Sequence, residues 1–367
     1  MINRNKLRGL FSGAAFAVTF CILISGFNVF AEQKDIPASY DGIKTYVDGE
    51  LTQPRDSKGK IAEPFTADGY VYLPIETVCR LLGEEFSWDA ANNSIYFGKR
   101  PVVKIQEVTV SNADELYNQL GSNKKIKLKP GVYNLSKVKQ SIGVKKNVYW
   151  EDVYDGKELV FSDIENLTLE GLGDKPAEIV VEPRYADVLN FIGCSNISIN
   201  NIKAGHTIDK GDCDGGVLKI DSSTDINISD SIFYGCGTLG INAVNSENLK
   251  FVNSVIEECS YGIMQLDSCK NFMFTDSIFR KCQGFNMIDI ISSTDMVFDK
   301  CEFSENTVCY DYSAFLNSDL SYGVKFLNCK FKNNVFNNFG NNLADIDFTG
   351  SAFEGNSLFI AKRAELQ

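Results

Sequence analysis

Apolar residues in this chain fall at alternate positions, in short runs that return at a nearly fixed interval. Aligning Asp225–Ile228, Asn248–Phe251, Asn271–Phe274, Asp295–Phe298, Gly323–Phe326 and Asp345–Phe348 gives steps of 23, 23, 24, 28 and 22 residues. Asn196–Ile199 and Asn166–Leu169 extend the series upstream at steps of 29 and 30. Within a run Ile226 and Ile228 flank Asn227, and Phe272 and Phe274 flank Met273, which is strand periodicity. No stretch between runs is long enough for a helix, so each unit is a β-coil that buries its apolar face only by stacking on its neighbours.

Seven residues after the first apolar residue of each run stands another: Phe233, Ile256, Phe279, Phe303, Phe331 and Phe353. Three further on is a ladder of Cys236, Cys259 and Cys282, continuing as Asn306, Asn334 and Asn356. Equivalent positions on successive coils lie about 4.8 Å apart, so like residues stack: Asn bonds the coils above and below, and Cys fills the turn as a small apolar residue. The repeat, the Asn ladder and the opening Ile126–Leu135 resemble the right-handed parallel β-helix family typified by pectate lyases, over roughly Val108 to Phe359. The resemblance implies a mainly β solenoid. Activity must be argued from the site, because one fold hosts many functions.

Four segments are expected. Residues 1–31 read as a signal peptide, with Arg4, Lys6 and Arg8 before the apolar run Leu10 to Phe27 and small residues at Val29–Ala31; an uncleaved anchor is the alternative. Residues 40–99 form a small α+β unit: strands at Ile43–Val47 and Val71–Leu73, a turn at Asp48–Gly49, a helix from Pro74 to Leu82 stopped by Gly83, and a hairpin of Phe86–Asp89 with Ser94–Phe97 across Ala90–Asn93. Tyr72–Pro74, Leu82–Gly83 and Trp88–Asp89 make this unit resemble the copper amine oxidase N-terminal-like domain of exported bacterial proteins, which implies a secreted or cell-surface location and envelope attachment. With no His and only Cys79, the unit has no copper ligand set. Residues 100–107 are a linker, and 108–360 the β-helix, opened by a helix after Ser111 and Asn112 that buries Leu116 and Leu120 and covers the solenoid's first edge.

The formal net charge is −12, and −15 without the leader's three cations. With one His and no basic run, nucleic acid and anionic membrane are poor partners, and neutral or cationic ones suit the chain. Ten of the 11 Cys lie beyond the leader. Cys236, Cys259 and Cys282 share one register and Cys301 and Cys329 another, so they read as buried thiols; Cys213 and Cys309 lie in loops.

The strand preceding each run places outward residues in one polar row: Asn190, Lys219, Asn242, Gln265, Asp289 and Asn317. Insertions at 203–216, 304–313 and 144–157 enter this strand and are expected to overhang the sheet, leaving Asn242, Gln265 and Asp289 as the floor of a groove. Its walls would hold His206, Asp209, Asp212 and Asp214 upstream, Tyr310, Asp311 and Tyr312 downstream, and Tyr149, Trp150 and Tyr154 farther out. Aromatic faces beside amides and carboxylates suit sugars. Asp209, Asp212 and Asp214 have oxygen-ligand spacing for Ca²⁺, without the order of an EF-hand.

The expected function is therefore binding of a polysaccharide or cell-envelope glycan without turnover. One alternative is a polysaccharide lyase or glycoside hydrolase acting in the groove, drawing on Lys219 as base, His206, or the carboxylate pair Asp267 and Asp289. Another is an adhesin or structural spacer.

Overall fold

The computed structural model describes residues 37–89, 94–98, 103–139, 145–207, 214–235 and 237–358. The leader, the Ala90–Asn93 turn, Asp209, Asp212, Cys213 and Cys236 lie outside the described residues. Two units are distinct, one ending at Val102 and the other beginning at Val103.

Among the described residues the small unit holds three antiparallel hairpins and one helix. Thr45–Val47 pairs with Glu50–Thr52 around Asp48–Gly49, and Phe65–Ala67 with Tyr70–Tyr72 around Asp68–Gly69. Both Asp-Gly pairs have positive φ at each residue, the backbone that twists a two-residue turn to match its strands. The second hairpin was not foreseen beyond its Val71 strand. The helix spans Ile75–Leu82 with Pro74 at its N-cap and Gly83 left-handed at φ 71 after its end, as the capping asymmetry predicts. Phe86–Asp89 pairs with Ser94–Phe97.

The larger unit is a parallel β-helix. The central coils each give one strand to each of three sheets, one of eight strands and two of nine. Seven of the aligned runs, from Asn166–Leu169 to Gly323–Phe326, lie in one nine-stranded sheet, with Leu167 opposite Ile197 and Ile197 opposite Ile226, whereas Asp345–Phe348 meets it only through a bridge from Asp347 to Lys325. Their leading residues, Asn166, Asn196, Asp225, Asn248, Asn271 and Asp295, all have φ between 52° and 60°. The repeated Asn or Asp is thus explained: each coil needs a left-handed residue here, and these side chains tolerate that backbone while bonding locally. They also bond each other, as in Asn271 Nδ2 to Asn248 Oδ1 at 2.7 Å and Asn196 Nδ2 to Asn166 Oδ1 at 2.7 Å.

Phenylalanines stack through the core at centroid spacings of 4.9 Å for Phe279–Phe303 and Phe303–Phe331, and 4.5 Å for Phe274–Phe298 and Phe298–Phe326. Each such pair adds roughly 0.5–1.5 kcal/mol beyond its buried area. The Asn ladder closes one corner: Asn334 Oδ1 accepts from Asn306 N and Nδ2, both at 3.0 Å, and Asn334 Nδ2 donates to Phe303 O at 2.8 Å. Cys259, Cys282, Cys301 and Cys329 are buried at such corners.

The first coil is preceded by strand Gln106–Val110, which begins inside the expected linker, and by helix Ala113–Gln119. Asn112 caps that helix by accepting Glu115 N at 2.9 Å, and Leu116 and Leu120 are buried. No helix among the described residues is long and apolar enough to cross a membrane.

Candidate functional site

The register of the eight-stranded sheet sets the polar row side by side: Asn190 opposite Lys219, then Asn242, Gln265, Asp289 and Asn317. A second outward row, two residues on, reads Ile192, Asp221, Val244, Asp267, Ile291 and Asp319. Asp267 and Asp289 thus share one face, one coil apart and offset by two residues, roughly 8 Å from strand spacing and rise.

The downstream half of the face forms a cleft of about 270 Å³ lined by Thr238, Leu239, Tyr261, Gln265, Phe285, Asn286 and Asp289. Asp289 Oδ1 accepts both from Asn317 Nδ2 at 2.7 Å and from Asn286 Nδ2 at 2.9 Å. Burial raises the Asp289 pKa, and the two amides pull it back. Beside this floor an aromatic wall runs from coil to coil: Tyr261 on Phe285 at 5.1 Å, Phe285 stacked on Tyr310 at 4.5 Å, and Tyr310 stacked on Tyr312 at 5.4 Å. Thr307–Val308 pairs with Gln283–Gly284 and roots the insertion that carries the two tyrosines. The insertion gave notice of Tyr310 and Tyr312, but Phe285 and Tyr261 occupy short turns whose importance shows only once coils stack.

The upstream half is a buried acidic cluster that the polar row alone did not reveal. Glu158 is 5 % exposed and accepts from Asn190 Nδ2 and from Asp187 N, both at 2.8 Å. Asp187 Oδ1 accepts from Gly216 N at 2.8 Å, and Lys219 Nζ lies 3.5 Å from Oδ2. Burial, reinforced by Glu158, pushes the Asp187 pKa up to about 6, against the opposing pull of Lys219. Lys219 is therefore engaged by a neighbouring acid instead of standing free on the floor. Asn190 is fully buried, so it belongs to this cluster and not to an open surface.

Two expected wall positions need correction. His206 ends strand Ile202–His206, opposite Val181 in another sheet, and is 4 % exposed with Nε2 2.8 Å from Ala186 O. It belongs to the core, because the strand continues through it and the insertion begins only after it; burial lowers its pKa. The insertion at 144–157 does not overhang: Val148–Val153 pairs antiparallel with Gly156–Ser162 and extends the sheet. Tyr149 lies opposite Val160, in line with the polar row, whereas Trp150 stacks on Tyr117 of the capping helix at 6.0 Å. Trp150 also lines a separate cavity of about 360 Å³ with Ser136, Asp155, Lys157 and Glu182. Asp214 is exposed and its carbonyl accepts from Thr238 Oγ1. Among the described residues no three His, Cys, Asp or Glu side chains are grouped to hold a metal ion.

Residues 188–358 match the family model described as the right handed beta helix region. With three sheets of stacked parallel strands, the larger unit is a right-handed parallel β-helix. Solved structures similar to the chain include the pectin methylesterase from Aspergillus niger, at 11% identity over 73% of this chain and 90% of that one, TM-score 0.36. A pectate lyase from Bacillus sp. N165 in complex with trigalacturonate aligns at 13% over 71% and 84%, TM-score 0.32, and the family 28 exopolygalacturonase from Yersinia enterocolitica at 9% over 81% of each, TM-score 0.30. None is close enough to carry a residue's role onto this chain. No curated protein matches the sequence.

Proposed function

We propose that the chain is an exported or cell-surface protein whose β-helix binds a polysaccharide or cell-envelope glycan without turning it over. The observation that carries this reading is the Tyr261–Phe285–Tyr310–Tyr312 wall standing beside Gln265, Asn286 and Asp289. Sugar rings present apolar faces that stack on aromatic side chains, while their hydroxyls need directional partners at the ring edge. The small N-terminal unit, with its likeness to the copper amine oxidase N-terminal-like domain, would serve as the envelope-attachment module.

A hydrolase is the second reading, favoured by one observation: the separation of about 8 Å between Asp267 and Asp289 suits two carboxylates flanking a water in an inverting glycosidase. The lyase reading is weaker, because Lys219 is paired with Asp187 and is not a free base. Incubating the full chain with an array of bacterial and plant polysaccharides separates the readings. Retention without reducing ends or unsaturated uronate absorbance is the expected result. Product formation abolished by Asp267→Asn would replace binding with hydrolysis, and product formation abolished by Lys219→Ala would replace it with a lyase.

A further inference from the structure

We propose that the groove selects an amine-bearing glycan, a polymer of amino sugars whose ammonium groups sit between the aromatic wall and Asp289. This deepens, and rests on, the reading of the groove as a glycan-binding surface.

The lining of the cleft holds a carboxylate and no cationic side chain. Asp289 is the only carboxylate in its lining. Asn317 and Asn286 each give an Nδ2 N–H to Asp289 Oδ1. Their own oxygens are taken, Asn317 Oδ1 by Asn341 Nδ2 and Asn286 Oδ1 by the Ala314 N–H. Both bonds to Asp289 fall on one oxygen, which leaves Oδ2 for a ligand. Two coils back along the row, past Gln265, Asn242 Oδ1 is a buried acceptor with no hydrogen-bond partner. A ligand that answers Asp289 Oδ2 must bring a donor.

Charge points the same way. Asp221, Asp267 and Asp319 recur on every second coil of the adjoining outward row, and the one cation in the two rows, Lys219, lies 3.5 Å from Asp187. A uronate carboxylate would meet like charges and no free cation. An ammonium group would meet a partly desolvated carboxylate and the ring of Tyr261, which line the same cleft, and aromatic faces attract cations more strongly as water is excluded.

The test compares oligomers of equal length in calorimetry with the full chain: glucosamine, N-acetylglucosamine and galacturonate. Glucosamine is expected to bind about tenfold or more tightly than its N-acetylated counterpart, with galacturonate weakest. Added salt should narrow the gap, and Asp289→Asn should close it. Equal affinity for the first two in the unmodified chain, a gap that survives Asp289→Asn, or no glucosamine binding at all would overturn the proposal. Because the first comparison needs no variant, a misfolded Asp289→Asn leaves the proposal falsifiable. If both hexosamine oligomers bind equally and Tyr310→Ala weakens both, amine selectivity fails while the groove reading stands.

Discussion

Asp187 offers the sharpest quantitative prediction about the site. Its carboxyl is buried, faces Glu158, and titrates near 6 instead of 3.8. A group whose folded pKa is raised contributes stability that is fully present below its unfolded pKa and lost as pH rises through the folded value. Two units correspond to about 3 kcal/mol, lost here between about pH 4 and pH 7. Asp187→Asn imitates the neutral acid, and its oxygen can still accept the Gly216 N–H, a bond of 2.8 Å. The variant should match the parent at pH 4 and exceed it by up to about 3 kcal/mol at pH 7, read from urea unfolding curves at both values. Attraction to Lys219, at 3.5 Å, is already part of that balance. A variant less stable than the parent at pH 7, with parity at pH 4, would refute the reasoning, since the Lys219 pair would then outweigh the cost of burying the charge.

Other consequences concern the scaffold and the wall. Asn334→Ala strips partners from Asn306 N and Nδ2 and from the Phe303 carbonyl, all in the closed corner; a loss of about 4 kcal/mol in unfolding free energy is expected. At Gly237 an added Cβ would come within 1.5 Å of Gly215 O, so Gly237→Ala must move the turn beside the groove, lowering thermal stability by the equivalent of about 1–3 kcal/mol. Tyr310→Ala removes the ring stacked on Phe285 and should weaken glycan retention by roughly tenfold with little change in melting temperature, since Tyr310 is exposed.

The coil was legible in the sequence wherever position along the axis decides the residue. Asn166 through Asp295 recur because every coil needs a left-handed residue at one corner, and Phe279, Phe303 and Phe331 recur because identical rings stack at the coil repeat. The polar row from Asn190 to Asn317 followed from the same register. Features set by contacts between unlike positions were not legible. Glu158 meets Asp187 and Asn190 across 29 and 32 residues with no periodic mark. The strand Val148–Val153 pairs antiparallel in an otherwise parallel sheet, so no repeat announces it. His206 looked like a loop residue because the insertion follows it directly, yet its strand still obeys the inward alternation. Phe285 and Tyr261 gain their role only from Tyr310, which an insertion brings over from the next coil.

The central claim, that a glycan lies against this aromatic wall, is tested most directly by tyrosine nitration mapped by peptide mass spectrometry. The full chain would be labelled with and without a polysaccharide retained on the array. Tyr310 and Tyr312, 40 % and 78 % exposed, pack on Phe285 of the cleft lining, whereas Tyr154, 88 % exposed, packs on Tyr185 and Tyr322, 72 % exposed, is bridged to Thr294; these two serve as internal controls. Protection of Tyr310 and Tyr312 with unchanged labelling of Tyr154 and Tyr322 is the predicted result. Unchanged labelling of the wall tyrosines under saturating glycan would contradict the account.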